Sequence, residues 1–307
     1  MSICIDIVVR TRADATRSKL LFRALDSIQD QRGIEARPIV VVNGSDVDPE
    51  TWSALQKRKG IRLHREKVGS AALSMVAGRR LVEAAYFGFL DDDDDLIANT
   101  LHKPVTWLDS QANYDAIITN GYFAAPDGTV SPLNQFTDQS ISKHPALMLV
   151  ENGWLVPGAF VFRTSGVPYS MFNPSWSNME WTRLAFELCG AKKRLHFMDI
   201  PTMRYHDTPG SLSKHVRHHE AELQLLGEVK QDARLEGEAR RAAGYKYLRT
   251  LHNLSMAYRR QQQWRRAWAC HLRSLQWPYT FKYLAFSRKL FLPAGLFGGQ
   301  SRQRNDS

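Results

Sequence analysis

Residues 86–96 have the sequence YFGFLDDDDDL, a short apolar run followed directly by five aspartates. A run of this length, rich in aromatic residues, is typical of a buried strand. Five adjacent carboxylates repel one another, so a counter-charge has to compensate them. They begin where the predicted strand 87–90 ends, and parallel sheets bind ligands at the carboxyl ends of their strands. We therefore expect the aspartates to lie in a binding site.

The first half of the chain alternates short apolar runs with helical patterns. Strands are predicted at 3–9, 39–42, 61–63, 87–90 and 116–119, and helices near 49–59 and 70–85. A further helix is predicted from the spacing of Leu21, Ala24, Leu25 and Ile28. This order predicts an α/β fold in which a mostly parallel sheet carries helices on both faces.

The positive charge of the chain is concentrated near its C-terminus. The net charge is +10; residues 1–215 contain 24 Lys+Arg and 24 Asp+Glu, whereas residues 216–307 contain 17 and 7. From about residue 216 the pattern is helical, with Leu248, Leu251, Leu254 and Tyr258 on one face. We therefore predict two domains, an α/β domain at 1–215 and a basic helical region at 216–307.

The N-terminus and the cysteines predict a cytoplasmic protein. The first residues, MSICIDIVVRTR, lack the basic n-region and the cleavage site of a signal peptide. Three cysteines lie far apart without metal-ligand spacing, as expected for buried thiols of a reducing compartment. No stretch approaches the roughly 18 apolar residues of a membrane span.

Four segments, in this order, resemble motifs of the inverting, family-2 glycosyltransferases of the GT-A (Rossmann-like) fold. They are IDIVVRTR at 5–12, PIVVVNGSD at 38–46, FGFLDDDDDL at 87–96, and a region from NMEWTRLAFELCG at 178–190 to RYHDTPGSLS at 204–213. The resemblance covers about residues 3–215. It implies a nucleotide-diphospho-sugar donor, a divalent cation (Mn²⁺ or Mg²⁺) and a saccharide or lipid-linked acceptor, in the synthesis of bacterial surface polysaccharides.

The resemblance assigns the aspartates to the donor. Asp91 and Asp93 match the family's Asp-x-Asp, so Asp91 would reach the ribose or the metal and Asp93 would ligate the metal; Asp92, between them, is assigned to the donor. His206 falls where such enzymes place a histidine near the metal, although a hydrogen bond to the adjacent Asp207 explains it equally well. Gly210, Ser211 and Ser213 resemble a loop that closes over the diphosphate.

Three further positions match the nucleotide side of the family's site. Thr11 follows the first strand, where a plain strand-end hydrogen bond is the alternative, and Arg12 could contact the diphosphate or be a solvated charge. Asn43 could bind a base edge or make an Asx-turn with Gly44. Val42 replaces an aspartate that often contacts the base in relatives, which leaves the nucleotide open.

The catalytic base is assigned to Glu180. Inverting transfer needs a group that deprotonates the acceptor hydroxyl as its oxygen attacks. The family uses the aspartate of a Glu-Asp pair; the matching residues here are Glu180 and Trp181, and tryptophan cannot accept the proton. Glu180 could instead be a helix N-terminal glutamate or position the substrate. Trp181 could stack on a sugar ring or pack in the core.

Two other functions compete with sugar transfer. A nucleotidyltransferase would carry a Gly-rich loop after its first strand, but VVRTRADATRSK at 8–19 contains no glycine. A non-catalytic GT-A-like protein would act as an adaptor through its basic helical arm. Val42 and Trp181 favour this alternative, although we expect no nucleic acid partner.

The sequence YTFKYLAFSRKLF at 279–291 interleaves aromatic and basic residues. Tyr279, Phe281, Tyr283, Phe286 and Phe291 with Lys282, Arg288 and Lys289 predict peripheral contact with an anionic membrane, on its cytoplasmic face. Packing of these aromatic residues against the catalytic domain is the alternative.

Overall fold

A computed structural model describes residues 3–125, 127–176, 178–207, 216–287 and 290, and divides the chain into two compact units. The first unit comprises Met1–Ser211 and the short segment Ala233–Ala239. The second unit comprises Leu212–Asp232 and Arg240–Ser307. The domain boundary at 215 stays a prediction.

The strands and helices alternate through the first unit. The strands are β1 (Cys4–Thr11), β2 (Glu35–Asn43), β3 (Arg62–Glu66), β4 (Tyr86–Asp91), β5 (Asp95–Leu96), β6 (Ala116–Ala124), β7 (Val130–Pro132), β8 (Phe160–Arg163) and β9 (Leu195–His206). The helices are α1 (Ser18–Gln29), α2 (Pro49–Lys57), α3 (Ala71–Arg80), α4 (His102–Ser110), α5 (Asp138–Lys143), α6 (Pro145–Glu151) and α7 (Glu180–Gly190), with a 3₁₀ turn at Tyr169–Met171.

One sheet with the strand order β3-β2-β1-β4-β8-β6-β9-β5 organises this unit, and β7 pairs with β6. The pairs β1–β2, β1–β4, β2–β3 and β6–β9 are parallel, and the other pairs are antiparallel. Thr11 is opposite Val42, and Arg10 is opposite Asp91. The predicted mostly parallel α/β sheet is confirmed, and its first strands end at one common edge.

Helices cover both faces of the sheet, as predicted. Helix α1 buries the four residues that the sequence places on one face, and they pack in a core with Ile5, Ile7 and Val9 of β1. Val8 faces the opposite side, because side chains alternate along a strand. There α3 lies so close that a Cβ on Gly78 would be 2.3 Å from Val8 Cγ1. A glycine at this position permits the close packing.

The second unit is helical. Its helices are α8 (Val216–Val229), α10 (Trp264–Ser274), α11 (Thr280–Leu284) and most of α9 (Gly237–Arg260). The predicted apolar face of α9 is buried with Ala267, Cys270 and Phe286. This unit therefore has a core of its own.

None of the helices in the described part of the chain combines the length and hydropathy that a membrane span requires. Cys4, Cys189 and Cys270 are free; Cys189 and Cys270 are buried as predicted, whereas Cys4 is only half-buried.

A buried carboxylate joins β1 to the turn that precedes β4. Asp6 Oδ2 accepts the backbone N–H groups of Glu83 and Ala84 at 2.8 and 2.9 Å, and its Oδ1 accepts Arg37 Nε at 3.0 Å. Asp6→Ala leaves these donors unpaired, so we expect the free energy of unfolding to fall by about 2–4 kcal/mol in urea denaturation. The exposed Asp46→Ala should change it by less than about 0.5 kcal/mol. Equal losses in both variants would contradict this assignment.

Candidate active site at the carboxyl ends of the strands

The predicted donor residues meet where β1, β2 and β4 end. Thr11 is buried at the last position of β1, and its Oγ1 accepts the N–H of Ala13 at 2.9 Å. This bond turns the chain out of the strand, where Ala13 has a φ of 50°. The side chain of Thr11 also donates to Asp92, because the hydroxyl of a threonine can donate and accept at once. Thr11 therefore ties the end of β1 to the aspartate run.

Burial separates the five aspartates into two groups. The side chains of Asp91 and Asp93 are 35% and 17% exposed, whereas Asp92, Asp94 and Asp95 are buried. Asp95 belongs to β5, where it pairs with Arg204 of β9. Asp91 and Asp93 are thus the two carboxylates of the run that a ligand can reach.

Arginines supply the counter-charge that the aspartate run requires. Arg10 Nη2 lies 3.2 Å from Asp91 Oδ1. Arg17 Nη2 contacts Asp92 Oδ1 at 2.7 Å and Asp93 Oδ2 at 2.6 Å. Both pairs form across elements, since Arg10 lies in β1 and Arg17 immediately precedes α1.

The buried carboxyls carry less charge than their number suggests. Burial raises the pKa of Asp92 to about 6, although the charge of Arg17 opposes the shift. Burial also raises the pKa of Asp94 to about 9, and the charge of Asp91 adds to it. Asp94 is therefore protonated at neutral pH, which relieves part of the repulsion.

His206 is engaged by a different aspartate from the one predicted. Its Nε2 lies 2.5 Å from Asp95 Oδ1, and its backbone N–H donates to Asp94 Oδ1 at 2.9 Å. Arg204 Nη1 occupies the other oxygen of Asp95 at 2.7 Å. The neighbour that holds the imidazole is thus Asp95 rather than Asp207. His206 as a metal ligand stays a prediction, and Nδ1 is the ring nitrogen outside this contact with Asp95.

Asp91 and Asp93 alone supply too few ligands for a divalent cation, so a cation here would need further ligands. Among the described residues, no three His, Cys, Asp or Glu side chains are grouped as a metal site. Mg²⁺, however, commonly takes one or two carboxylates and completes its coordination with substrate phosphates and water. The two exposed carboxylates match that requirement. The residues therefore fit a cation that arrives with a diphosphate.

Asn43 and Arg12 lie at the same edge. Asn43 Oδ1 accepts the N–H of Ser70 at 2.9 Å, and Ser70 caps α3 through its contact with Leu73 N. The carbonyl oxygen therefore holds the loop before α3, rather than making the Asx-turn with Gly44. The side chain of Arg12 is exposed. Contacts of either residue with a nucleotide stay predictions.

The N-terminus of α7 lies beside the aspartates. The guanidinium of Arg10, which pairs with Asp91, lies over the Trp181 ring at 4.8 Å. Trp181 also packs edge-on against Phe89, and its Nε1 is buried without a hydrogen-bond partner among the described residues. Glu180 is half-buried, and its Oε1 accepts the N–H of Asn178 at 3.1 Å. This is the geometry of a helix N-terminal glutamate, and it leaves Glu180 Oε2 for other contacts.

Comparison with known proteins gives matches at the level of structure. No family model matches the chain, and no curated protein sequence matches it. Residues 1–349 of S. aureus TarS in complex with UDP-GlcNAc match with a TM-score of 0.62 and 15% identity, over 90% of this chain and 81% of that chain. The complex of the same TarS segment with UDP matches with a TM-score of 0.52 and 15% identity, over 82% and 71%.

The chain has a glycosyltransferase fold. The resemblance that the sequence motifs suggest is thereby confirmed for the fold. The segment 208–213, predicted to close over a diphosphate, lies outside the described residues.

Within this GT-A fold, sequence reasoning missed the arginines. The resemblance assigns no role to Arg10, Arg17 or Arg23, yet Arg23 donates to the backbone oxygen of Asp93, and the other two pair with carboxylates of the run. The available signal was the aspartate run itself, which requires cations within reach. Four arginines lie between residues 10 and 23, at the end of β1 or after it, and these three are among them.

Proposed function

We propose that the protein transfers a sugar, with inversion, from a nucleotide-diphospho-sugar to a saccharide or lipid-linked acceptor, in cell-surface polysaccharide synthesis. The observation that carries the proposal is the pair of partly exposed carboxylates, Asp91 and Asp93, at the carboxyl end of β4 in a glycosyltransferase fold. Solved structures with this fold contain UDP-GlcNAc and UDP, which supports a nucleotide-sugar donor.

Asp91 and Asp93 would hold Mg²⁺ or Mn²⁺ together with the donor. The cation would neutralise the charge that develops on the departing diphosphate. Arg10 and Arg17 neutralise the two carboxylates in the donor-free protein. With the donor bound, both guanidiniums would contact the diphosphate, a role supported by their position beside Asp91 and Asp93 at the end of β4. Thr11, Arg12, Asn43 and Asp92 complete the proposed donor site.

Glu180 would act as the base. A carboxylate at the start of α7 can accept the proton of the acceptor hydroxyl while that oxygen attacks the anomeric carbon. Trp181, held by Arg10 and Phe89, would form a wall between this carboxylate and the donor site. A non-catalytic role as an adaptor is the alternative, and the absence of metal-dependent donor binding would favour it.

The donor site is tested by Asp93→Ala. We expect loss of at least about 100-fold in transfer from UDP-GlcNAc, and loss of the rise in melting temperature that UDP-GlcNAc with Mn²⁺ gives the wild type. The fold should persist, since Arg17 keeps its contact with Asp92. The exposed Asp127→Ala serves as the control. Near-normal transfer by Asp93→Ala would overturn the metal assignment.

The base is tested by Glu180→Gln, which keeps the shape of the side chain. Turnover should fall by about 10²–10⁴, while the affinity for the donor stays nearly unchanged. Glu151→Gln, an exposed glutamate of α6, is the matched control. Normal turnover would exclude Glu180 and direct the search to Asp207 or to Asp199, whose Oδ1 accepts Asn120 Nδ2 at 2.7 Å.

The predicted membrane surface needs correction in the second unit. Tyr283 and Phe286 are 4% and 8% exposed, because Tyr283 stacks on His252 and Phe286 joins the core of that unit. Trp277 and Phe281 are instead 78% and 79% exposed. Arg288, Lys289 and Phe291 lie outside the described residues. The proposed peripheral contact with anionic lipid therefore moves to Trp277 and Phe281, next to Lys282.

Membrane contact is tested with Trp277→Ser and Phe281→Ser combined. The full chain should co-sediment with phosphatidylglycerol vesicles, more weakly as salt rises, and the double variant should bind about tenfold less. Val130→Ser with Tyr169→Ser is the control, since both side chains are 56% exposed in the first unit. Equal binding of all three proteins, or none at low salt, would rule this surface out. Truncation is unsuitable because it removes the buried Tyr283 and Phe286.

A further inference from the structure

A cavity of the first unit lies at the end of the sheet opposite the aspartates. Its volume is about 690 Å³, and its lining includes residues 113–114 and 192–195, which immediately precede or begin β6 and β9. β4 and β6 are both antiparallel to β8, and β9 is parallel to β6. β6 and β9 therefore run in the same direction as β4. The amino ends of the strands therefore border this cavity, and the donor site lies at their carboxyl ends.

The floor of the cavity is apolar. Ile141, Ala146, Leu195 and Leu235 line it, and each is at most 5% exposed. Leu235 comes from the segment Ala233–Ala239, which separates the two sequence pieces of the second unit. Tyr114 and Asn113 add an aromatic ring and an amide to the wall. The Tyr114 ring also packs against Trp107 and His196, which holds it in place. An aromatic ring beside an amide suits a sugar ring, which has apolar faces and hydroxyl edges.

The rim of the cavity is positively charged. Lys193 is paired with Asp115 at 3.7 Å, and Arg234 forms two contacts with Glu187 at 2.9 and 3.0 Å. The one carboxylate of the lining, on Glu236, lies 3.2 Å from His144 Nδ1.

Three other cations line the cavity: Lys143, Lys192 and Arg194. All three are exposed, and none forms an ion pair within the part of the chain that the structure describes. Lys193 and Arg234 are paired with carboxylates, and the three remaining cations outnumber the one carboxylate of the lining, on Glu236. The rim therefore has a positive potential over an apolar floor. Cations grouped at the mouth of a cavity raise the local concentration of anions.

We propose that this cavity binds a phosphorylated saccharide. The three cations would hold the phosphate, and the floor with Tyr114 would hold the sugar. A volume of about 690 Å³ exceeds what a free phosphate fills, and lies within the range of about 300–1,000 Å³ typical of small-molecule sites. The site is independent of the donor site, because none of the proposed donor residues lines this cavity.

Calorimetric titration of the full chain with glucose 6-phosphate tests the proposal, without metal and near physiological ionic strength. Combining Lys143→Gln, Lys192→Gln and Arg194→Gln should weaken binding at least about tenfold, as expected when charge-assisted hydrogen bonds are lost. The charge-matched control combines Lys19→Gln, Lys57→Gln and Lys59→Gln, which are exposed residues outside the cavity. The control should bind like the wild type.

Equal affinities of all three proteins, or equal weakening in both variants, would overturn the site. Inorganic phosphate and glucose are titrated in parallel, and both should bind more weakly than glucose 6-phosphate. Inorganic phosphate that binds as tightly would overturn the saccharide part of the proposal. The calorimetric measurement of binding does not depend on sugar transfer. A negative binding result would therefore not contradict the proposed transfer reaction, and an inactive enzyme could still show binding at this cavity.

Discussion

The pairing of arginines with the aspartates after β4 is the interaction on which the site depends. A run of five carboxylates is unstable alone, and here it is compensated from several elements at once. Arg10 comes from β1, Arg17 from the residue before α1, Arg23 from the middle of α1, and Arg204 from β9. Each pair therefore also fixes an element at the edge where β4 ends. The contacts that neutralise the aspartates are therefore also the contacts that hold the elements of the site together.

This compensation also bears on the proposed anionic ligand. A carboxylate that is already paired with a guanidinium presents a cation beside it, so the edge is not uniformly negative. Asp94 contributes no charge at neutral pH, and Asp92 is held by Thr11 and Arg17. Two exposed carboxylates and two arginines thus remain in one place. That mixture suits a metal and a diphosphate together better than either alone.

Much of the fold was predictable from the sequence, because local pattern determines it. The buried runs of β1, β2 and β4 and the apolar spacing of α1 follow from burial alone. The need for cations beside the aspartates was predictable, but which arginine meets which aspartate was not, since Arg10 meets Asp91 only through strand register. The burial of Tyr283 and Phe286 was not predictable either. Their aromatic side chains fit a membrane surface equally well, and only the folded second unit shows that they belong to its core. His206 likewise depends on β9 lying beside β5.

The segment Ala233–Ala239 has a consequence for any attempt to divide the protein. The chain passes from one unit to the other three times, near residues 211, 232 and 239. Leu235 and Ala239 are buried, and Arg234 is paired with Glu187 of α7. A fragment that stops at residue 215 would therefore lack part of its own interior. The two units are not separable by one cut, and an exchange of C-terminal halves between relatives would carry a piece of the first unit with it.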